Sequence, residues 1–386
     1  MIVHGPEAQL SQLLALLAED LDIPLELDRR LTAAYEDLGA FLKQDAEELF
    51  RASAEVYPQG SRRLGTLVRP VEEDADYDVD LVYRRDVART SVTQQQLKES
   101  AGEQLKRYVQ RKRKLDPANA PSLREGGRCW TLEYDGFHLD ILPAIRDDED
   151  LVPDGILITD RDLHRWQHSN PRGYARWFRN RTDFDVERVK LAKSLGVTVE
   201  AVPKNRVRTP LHRVVQLLKR HRDLVFAADD DVRPASILIT TLAAHAYERQ
   251  PDVESAMRGV LERIEHGIRR EGGKWWVANP ADPRENFADR WNEDRAKAFS
   301  AWLVRVKDEL GDLRRARGLD EVTTVLAKSF GKTASTNAMT KLGQQALEQR
   351  EMGALFVTST STLSDRGTVA VPPHRFYGSR STSRRR

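Results

Sequence analysis

Three aspartates carry the chemistry that this chain could do. Asp78 and Asp80 form an acid-x-acid pair in Asp78-Val79-Asp80-Leu81-Val82, and Asp140 stands in Leu139-Asp140-Ile141-Leu142-Pro143. Residues i and i+2 of a strand share a face, so Asp78 and Asp80 point the same way. Three acids on one face repel each other unless cations neutralise them. Magnesium takes carboxylate oxygens together with phosphates and water. Two such ions roughly 3.5–4 Å apart activate an attacking hydroxyl and stabilise a leaving oxygen. Upstream, Gln59-Gly60-Ser61 makes a turn whose amides can approach a triphosphate and whose Ser61 hydroxyl can donate to it. Gln59 is a further contact to phosphate or base. The combination predicts transfer of a nucleotidyl group on two Mg²⁺, with Mn²⁺ able to substitute. Asp78 and Asp80 would reach both ions. Asp140 would hold the ion that binds the acceptor hydroxyl and help to deprotonate it.

Each piece alone has a plainer reading. Asp-x-Asp on a strand is commonly a solvated face, and Gly-Ser is commonly a turn. Their order along the chain makes the set specific. Asp76-Tyr77-Asp78 is also acid-x-acid, but Leu81 and Val82 continue the strand directly after Asp80 and favour the second pair. The Gly-Ser-x-x-x-Gly-Thr spacing lacks the Gly-Lys-Ser/Thr of a Walker loop, which argues against an ATPase of that kind.

Helices and strands must position these residues. Residues 7–20 and 26–52 read as helices, the second with Leu31, Leu38, Phe41, Leu42 and Leu49 near helical spacing. Pro58 and Gly60 break that pattern. Residues 78–83 read as a strand, 92–112 as a helix and 116–127 as a loop. Asp135-Gly136 between two apolar runs predicts a hairpin. Its second arm puts Asp140 on a strand, opposite in face to Phe137, Leu139 and Ile141, in the same sheet as Asp78 and Asp80. From about 205 the pattern is helical with little strand. Pro210 and Pro234 open two helices, and more are expected at 253–268, 284–310 and 335–350. The boundaries expected are a first lobe over 1–204, a helical lobe over 205–358, and a flexible basic tail over 359–386.

Bulk properties agree with an enzyme of two lobes. The chain has 386 residues, 40% hydrophobic and 32% charged, as in a soluble folded protein. No apolar run is long enough to span a membrane, and no secretory signal is expected at the N-terminus. Cys129 is the single cysteine, which excludes intrachain disulfides and cysteine-rich metal sites and fits a cytoplasmic setting. A formal net charge of +2 argues against coating duplex nucleic acid by charge alone, although Arg111-Lys112-Arg113-Lys114 and Arg384-Arg385-Arg386 are local basic clusters.

With these residues in hand, the chain resembles the polymerase-β-like nucleotidyltransferases, and within them the bacterial cGAS/DncV-like nucleotidyltransferases (CD-NTases). The matching pieces are Gly60-Ser61 with Gly65-Thr66, Arg69-Pro70, Asp78-x-Asp80-Leu81-Val82 and Leu139-Asp140-Ile141-Leu142-Pro143. Helical pieces from Leu211 to Arg220 and from Pro234 to Leu242 match as well, so the resemblance covers about residues 30–250. It implies an α+β fold: a nucleotidyltransferase lobe with a mixed, mostly antiparallel sheet, a helical C-terminal lobe, and an active-site cleft between them. It implies that Lys219 and Ser236 touch donor phosphates, with an exposed helix position and an N-terminal cap as their plainer readings. Arg62, Arg63 and Arg220 are further phosphate candidates. The implied reaction joins ATP or other ribonucleoside triphosphates into a cyclic di- or trinucleotide second messenger for anti-phage (CBASS) defence. That role implies a downstream effector activated by the cyclic nucleotide and a regulatory partner protein. No Cys/His zinc ribbon is present, so activation by DNA is not implied. The terminal glycine that some members conjugate to a target is not matched by Arg384-Arg385-Arg386.

Two rival readings use the same residues. A template-independent enzyme that tails RNA would need an RNA-binding surface, and no such motif is seen. A non-catalytic nucleotide or RNA sensor would be marked by loss of an acid, and all three are present.

Overall fold

A computed structural model of the chain describes residues 6–50, 53–72, 74–149, 152–159, 166–182, 208–357, 363–364 and 369–372. Most of the tail expected from 359, including Arg384-Arg385-Arg386, lies outside these residues.

The central sheet follows from alternation in two strands. β2 (Tyr77–Arg85) and β5 (Phe137–Arg146) run parallel, with Val79 opposite Leu139 and Asp80 opposite Asp140. β1 (Ala54–Pro58) pairs antiparallel with β2. β4 (Trp130–Tyr134) and β3 (Ser122–Glu125) extend the other side, also antiparallel. β6 (Ile156–Thr159) pairs with the far end of β5, and β7 (Trp166–Ser169) with β6. The sheet is thus mixed and mostly antiparallel. Parallel strands need a long crossover, and α4 (Gln94–Leu115) supplies it, opened by a Thr93–Gln96 capping box. The Asp135-Gly136 turn closes β4–β5 as expected, with Gly136 at φ +86.

The apolar face of the sheet carries Tyr77, Val79, Leu81, Tyr83, Phe137, Leu139 and Ile141. It packs on Leu31, Leu38 and Leu42 of α2 (Leu25–Phe50) and Ala101, Leu105 and Tyr108 of α4. The opposite face carries the acids. Around the acids the burial is one-sided and sets the register, because a slip of one residue would send Asp78 and Asp80 into the core; further along, Val82, Leu142 and Ala144 are buried on the acid-bearing face too.

A second core is helical. It contains α5 (Pro171–Thr182), α6 (Pro210–Val225), α7 (Ser236–Ala246), α8 (Val253–Arg263), α9 (Glu293–Arg315), α10 (Leu319–Phe330) and α11 (Lys332–Glu351). α1 (Pro6–Asp20) also packs here, through Leu13, Leu14 and Leu17, so the cores do not sort by chain order. α7 is apolar on nearly every side and is correspondingly buried. One polar network crosses this core. Trp302 Nε1–H donates to His221 Nδ1 at 2.9 Å, and His221 Nε2 lies 3.0 Å from Glu309. The tryptophan donor assigns a neutral imidazole with its proton on Nε2. The His221 and Ser329 bonds hold Glu309 below the usual carboxylate range despite burial.

The structure differs from the expected elements in several places, and β1, β6, β7 and α5 were not foreseen. Residues 284–292 are not helical: α9 starts at Glu293, where the Asn292 side chain accepts from Arg295 N–H. Before it come two small hairpins, β8 (Arg269–Glu271) with β9 (Lys274–Trp276), and β10 (Ala278–Asn279) with β11 (Asp282–Asn286). The helix expected to 268 ends at Arg263 in a 3₁₀ turn. The loop expected at 116–127 contains edge strand β3, and α10 was not foreseen.

Arg284 on β11 joins the two cores. Its guanidinium contacts Asp282 at 2.8 Å and Asp147, just beyond β5, at 3.1 Å. Both carboxylates are almost fully buried, and His168 Nδ1 also meets Asp147 at 2.9 Å. Arg284→Met leaves both acids buried with less compensation. It is expected to lower the unfolding free energy by about 3 kcal/mol in urea melts. An unchanged midpoint would mean that water or His168 compensates the acids instead.

Candidate active site

The parallel pairing of β2 with β5 sets the geometry. Asp80 and Asp140 are direct neighbours, and Asp78 lies one pleat along the same face, opposite His138. Asp140 is oriented from its other side. Thr131, its register partner on β4, donates its hydroxyl to Asp140 Oδ1 at 2.6 Å. His138 stands between Asp76, 2.7 Å from Nε2, and Asp78, 3.4 Å from Nδ1. Asp76 therefore belongs to the rim of the same acidic face.

The Gly-Ser turn sits directly over Asp80. After β1, Gln59 N–H donates to the Asp80 carbonyl at 2.9 Å. The chain then enters α3 (Gly60–Leu64), with Gly60 at φ +55. A Cβ on Gly60 would lie 2.7 Å from Asp80 Oδ2. So glycine is required twice, for its backbone angle and for the approach to the carboxylate. The first backbone bond inside α3 runs from Arg63 N–H to Gln59 O, which leaves the Gly60, Ser61 and Arg62 amides ahead of the helical ladder.

Lys219 braces this turn from α6. Its ammonium donates to the Thr66 carbonyl at 3.0 Å, and Thr66 N–H donates to Ser61 O at 3.0 Å. Burial, then Arg222, pushes Lys219 down to about 8, while Asp223 and Asp80 oppose that shift. Lys219 is thus buried rather than an exposed helix residue. One turn on, Arg222 donates to Pro234 O at 2.6 Å and to Ser236 Oγ at 3.1 Å. Ser236 is the first residue of α7, and Ala235 occupies the cap position. Ser236 is therefore not the N-terminal cap that its plainer reading suggested. The structure places Gln59 and Gly60 against Asp80, with Ser61 next to them in α3. It links Lys219 to the turn and ties Ser236 to the same helix face through Arg222.

Other arginines have structural tasks. Arg62 pairs with Asp28 at 2.6 Å and donates to Thr32. Arg220 donates to the Arg69 and Pro70 carbonyls. Arg63 lies near Tyr57 and donates to Pro58 O. Thr131, Arg222 and Arg128 were not singled out from the sequence. Thr131 was recoverable, since counting back across the two-residue turn puts it opposite Asp140. Arg222 and Arg128 carried no local signal.

The electrostatics show what the acids lack. Asp80 is reached by solvent yet ringed by protein. That burial, then Asp140 and Asp78, raises it to about 6, against an opposing pull from Lys219 and Arg128. Asp78 is also pushed up, by burial first and Asp140 next. Among the described residues, no three His, Cys, Asp or Glu side chains converge as ready metal ligands. Uncompensated carboxylates repel rather than gather. Their oxygen chemistry, shared face and surplus negative charge nonetheless fit hard divalent cations.

A pH dependence follows. Asp80 ionises near 6 when folded against an ordinary 3.8, so its charged form is disfavoured in the fold. Its contribution is intact at low pH and is lost as pH rises between those values. At about pH 7.5, metal-free Asp80→Asn is expected to melt above the parent, with the gap closing near pH 4. Mg²⁺ should raise the parent's melting temperature at about pH 7.5 and scarcely at about pH 4.5. Equal melting of parent and variant at both pH values would remove the repulsion argument.

Comparison with known proteins adds the following. A model of the Second Messenger Oligonucleotide or Dinucleotide Synthetase domain matches residues 9–181. A c-di-GMP synthase of Roseivirga ehrenbergii is 28% identical over 389 residues, spanning 98% of this chain and 100% of that protein. The cyclic dinucleotide synthase CdnG of Bradyrhizobium diazoefficiens is 26% identical, spanning 94% of this chain and 92% of its own. The solved structure of that CD-NTase CdnG with GTP superposes with a TM-score of 0.68 at 22% identity, covering 87% of this chain and 99% of the other.

Proposed function

We propose that the chain is a bacterial cGAS/DncV-like nucleotidyltransferase, as the synthetase-domain match over residues 9–181 and the two relatives that span nearly its whole length support, and that it joins two ribonucleoside triphosphates into a cyclic dinucleotide and releases pyrophosphate. The observation that carries this reading is the in-register pair Asp80–Asp140 beneath the Gly60 turn, with Asp78 one pleat away. We propose GTP as the substrate, since one relative is a c-di-GMP synthase and the CdnG structure contains GTP.

Each residue then has a task. Asp78, Asp80 and Asp140 would hold two Mg²⁺, which when bound neutralise triphosphate charge and make the attacking hydroxyl more acidic. Gly60 and Ser61 bring amides and a hydroxyl to the donor phosphates. Lys219 holds that turn in place and adds positive charge beneath it; Ser236 adds a hydroxyl at the start of α7. Thr131 fixes Asp140 Oδ1, which leaves Oδ2 to take the proton of the acceptor hydroxyl. The hydroxyl oxygen bonds to the α-phosphorus, the bond to the bridging oxygen breaks, and pyrophosphate departs. A second round on the turned linear product closes the ring.

In the cell, the same reading makes the product a second messenger of anti-phage (CBASS) defence, acting on a downstream effector in the cytoplasm under a regulatory partner. No helix among the described residues is long and apolar enough to cross a membrane. The guanine assignment has a direct test. With Mg²⁺ and one triphosphate at a time, GTP is expected to release pyrophosphate at least about tenfold faster than ATP, CTP or UTP. Equal rates with ATP would remove it.

A further inference from the structure

We propose that a cavity on the helical side, separate from the acids, binds a nucleoside phosphate. The cavity measures about 430 Å³. It lies where α7 and α8 end, under the β8–β9 and β10–β11 hairpins, and is lined by Arg181, Arg263, His266, Arg269, Trp276 and Asn279, among others. Ser236 starts α7 and His245 lies in its last turn, so the cavity opens roughly 14 Å along that helix from the phosphate side of the cleft.

Its charge is one-sided. Three arginines line it against a single acid, Glu248. Arg181 donates to the carbonyls of Ala244 and His245 at the end of α7, and Arg263 donates to Ala246 O and meets Glu248 at 3.1 Å. Arg263 Nη2 is buried there without a well-formed hydrogen bond. Arg269 and His266 make no ion pair among the described residues, so their groups remain available. His245 reports the same field: burial, then Arg181 and Arg269, pushes it down.

The hairpin adds an aromatic wall. Arg269 and Trp276 are register partners in β8–β9, so their side chains leave the same face. On the other face the equivalent pair is already satisfied, with Arg270 lying 4.1 Å over the Trp275 ring. Arg269 beside Trp276 therefore offers a cation and a ring to something else. Inorganic phosphate would leave most of the volume empty and ignore Trp276. A purely apolar ligand would strip water from three guanidinium groups without return. A base stacked on Trp276, with its phosphate at Arg269 and His266, uses both features in a volume normal for such sites. The floor is Asn279, 2% exposed, whose amide donates to Glu285 Oε2 at 2.7 Å. An occupant would thus rest on the β10–β11 hairpin, whose Arg284 grips Asp147 beyond β5.

Photolabelling with 8-azido-GMP followed by peptide mass spectrometry tests the site. An adduct is expected on the peptide containing Trp276. Excess GMP should remove it, while guanosine alone or inorganic phosphate alone should not. Arg269→Glu and His266→Ala, checked for unchanged melting, should lose the adduct, and Arg269→Lys should keep it. The Asp78→Asn/Asp80→Asn variant should retain it, so this result stands apart from any result on catalysis. Label confined to cleft peptides, no label, or full competition by phosphate alone would overturn the proposal.

Discussion

Asp80→Asn is expected to leave a folded protein that forms product at least about a thousandfold more slowly. The reason lies in position rather than in charge alone. Asp80 sits between Asp78 and Asp140 in the acidic row, directly under the Gly60 turn, and is raised by burial and by both neighbouring acids. Asparagine keeps the shape and removes the surplus charge that a cation would answer. The variant should therefore lose activity while gaining thermal stability in the absence of metal. That pairing of opposite signs separates a functional acid from a structural one. A merely structural Asp80 would lose stability and activity together, and retention of normal product would sink the assignment of the acids.

Gly60→Ala is the second large effect. The backbone at φ +55 costs an alanine about 1–2 kcal/mol. Its Cβ would also approach Asp80 Oδ2 to 2.7 Å, closer than such contacts occur. Either α3 lifts or Asp80 swings away, and both disturb the approach of donor phosphates to the acids. Misplacement of this order costs roughly a hundredfold in turnover. The fold should tolerate the change, because α3 holds only Leu64 as a buried residue. Steady-state kinetics with a parallel thermal melt would check this. Turnover within twofold of the parent would show that the turn does not need to lie so close to Asp80.

Much of the acidic face was legible from alternation. Tyr77, Val79, Leu81 and Phe137, Leu139, Ile141 mark the buried side, so the faces of Asp78, Asp80 and Asp140 follow by parity. The hairpin was legible too, because Asp135-Gly136 specifies a two-residue turn. That Asp140 shares a sheet with Asp78 and Asp80, on the neighbouring strand, was expected; that β2 and β5 run parallel was not. Pairing of strands separated by a long crossover depends on the packing of α4 across them, which no local pattern encodes. Family likeness, not periodicity, pointed to Lys219 and Ser236. The structure adds the reason they stand together: positions 219 and 222 share one face of α6, and Arg222 reaches Ser236.

The missed elements have a common cause. β8–β11 are two to five residues long and rich in charge, so neither period 2 nor period 3.6 emerges from Arg269 to Asn286. The apolar pattern expected over 284–310 is real only from Ala296 onward, where Phe299, Trp302, Leu303 and Val306 are buried. Arginines were the hardest to read. Arg62 and Arg220 lie near the right motifs, but their partners, Asp28 and the Arg69 and Pro70 carbonyls, are distant in sequence.

The central claim meets its most direct test in one reaction. Purified protein is incubated with all four ribonucleoside triphosphates and Mg²⁺, treated with phosphatase, and the products are weighed by mass spectrometry, with Asp78→Asn/Asp80→Asn in parallel. A phosphatase-resistant species with the mass of a cyclic dinucleotide of guanosine, absent from the variant, is the predicted result. Open linear chains as the only product, or the same cyclic species from the variant, would contradict it.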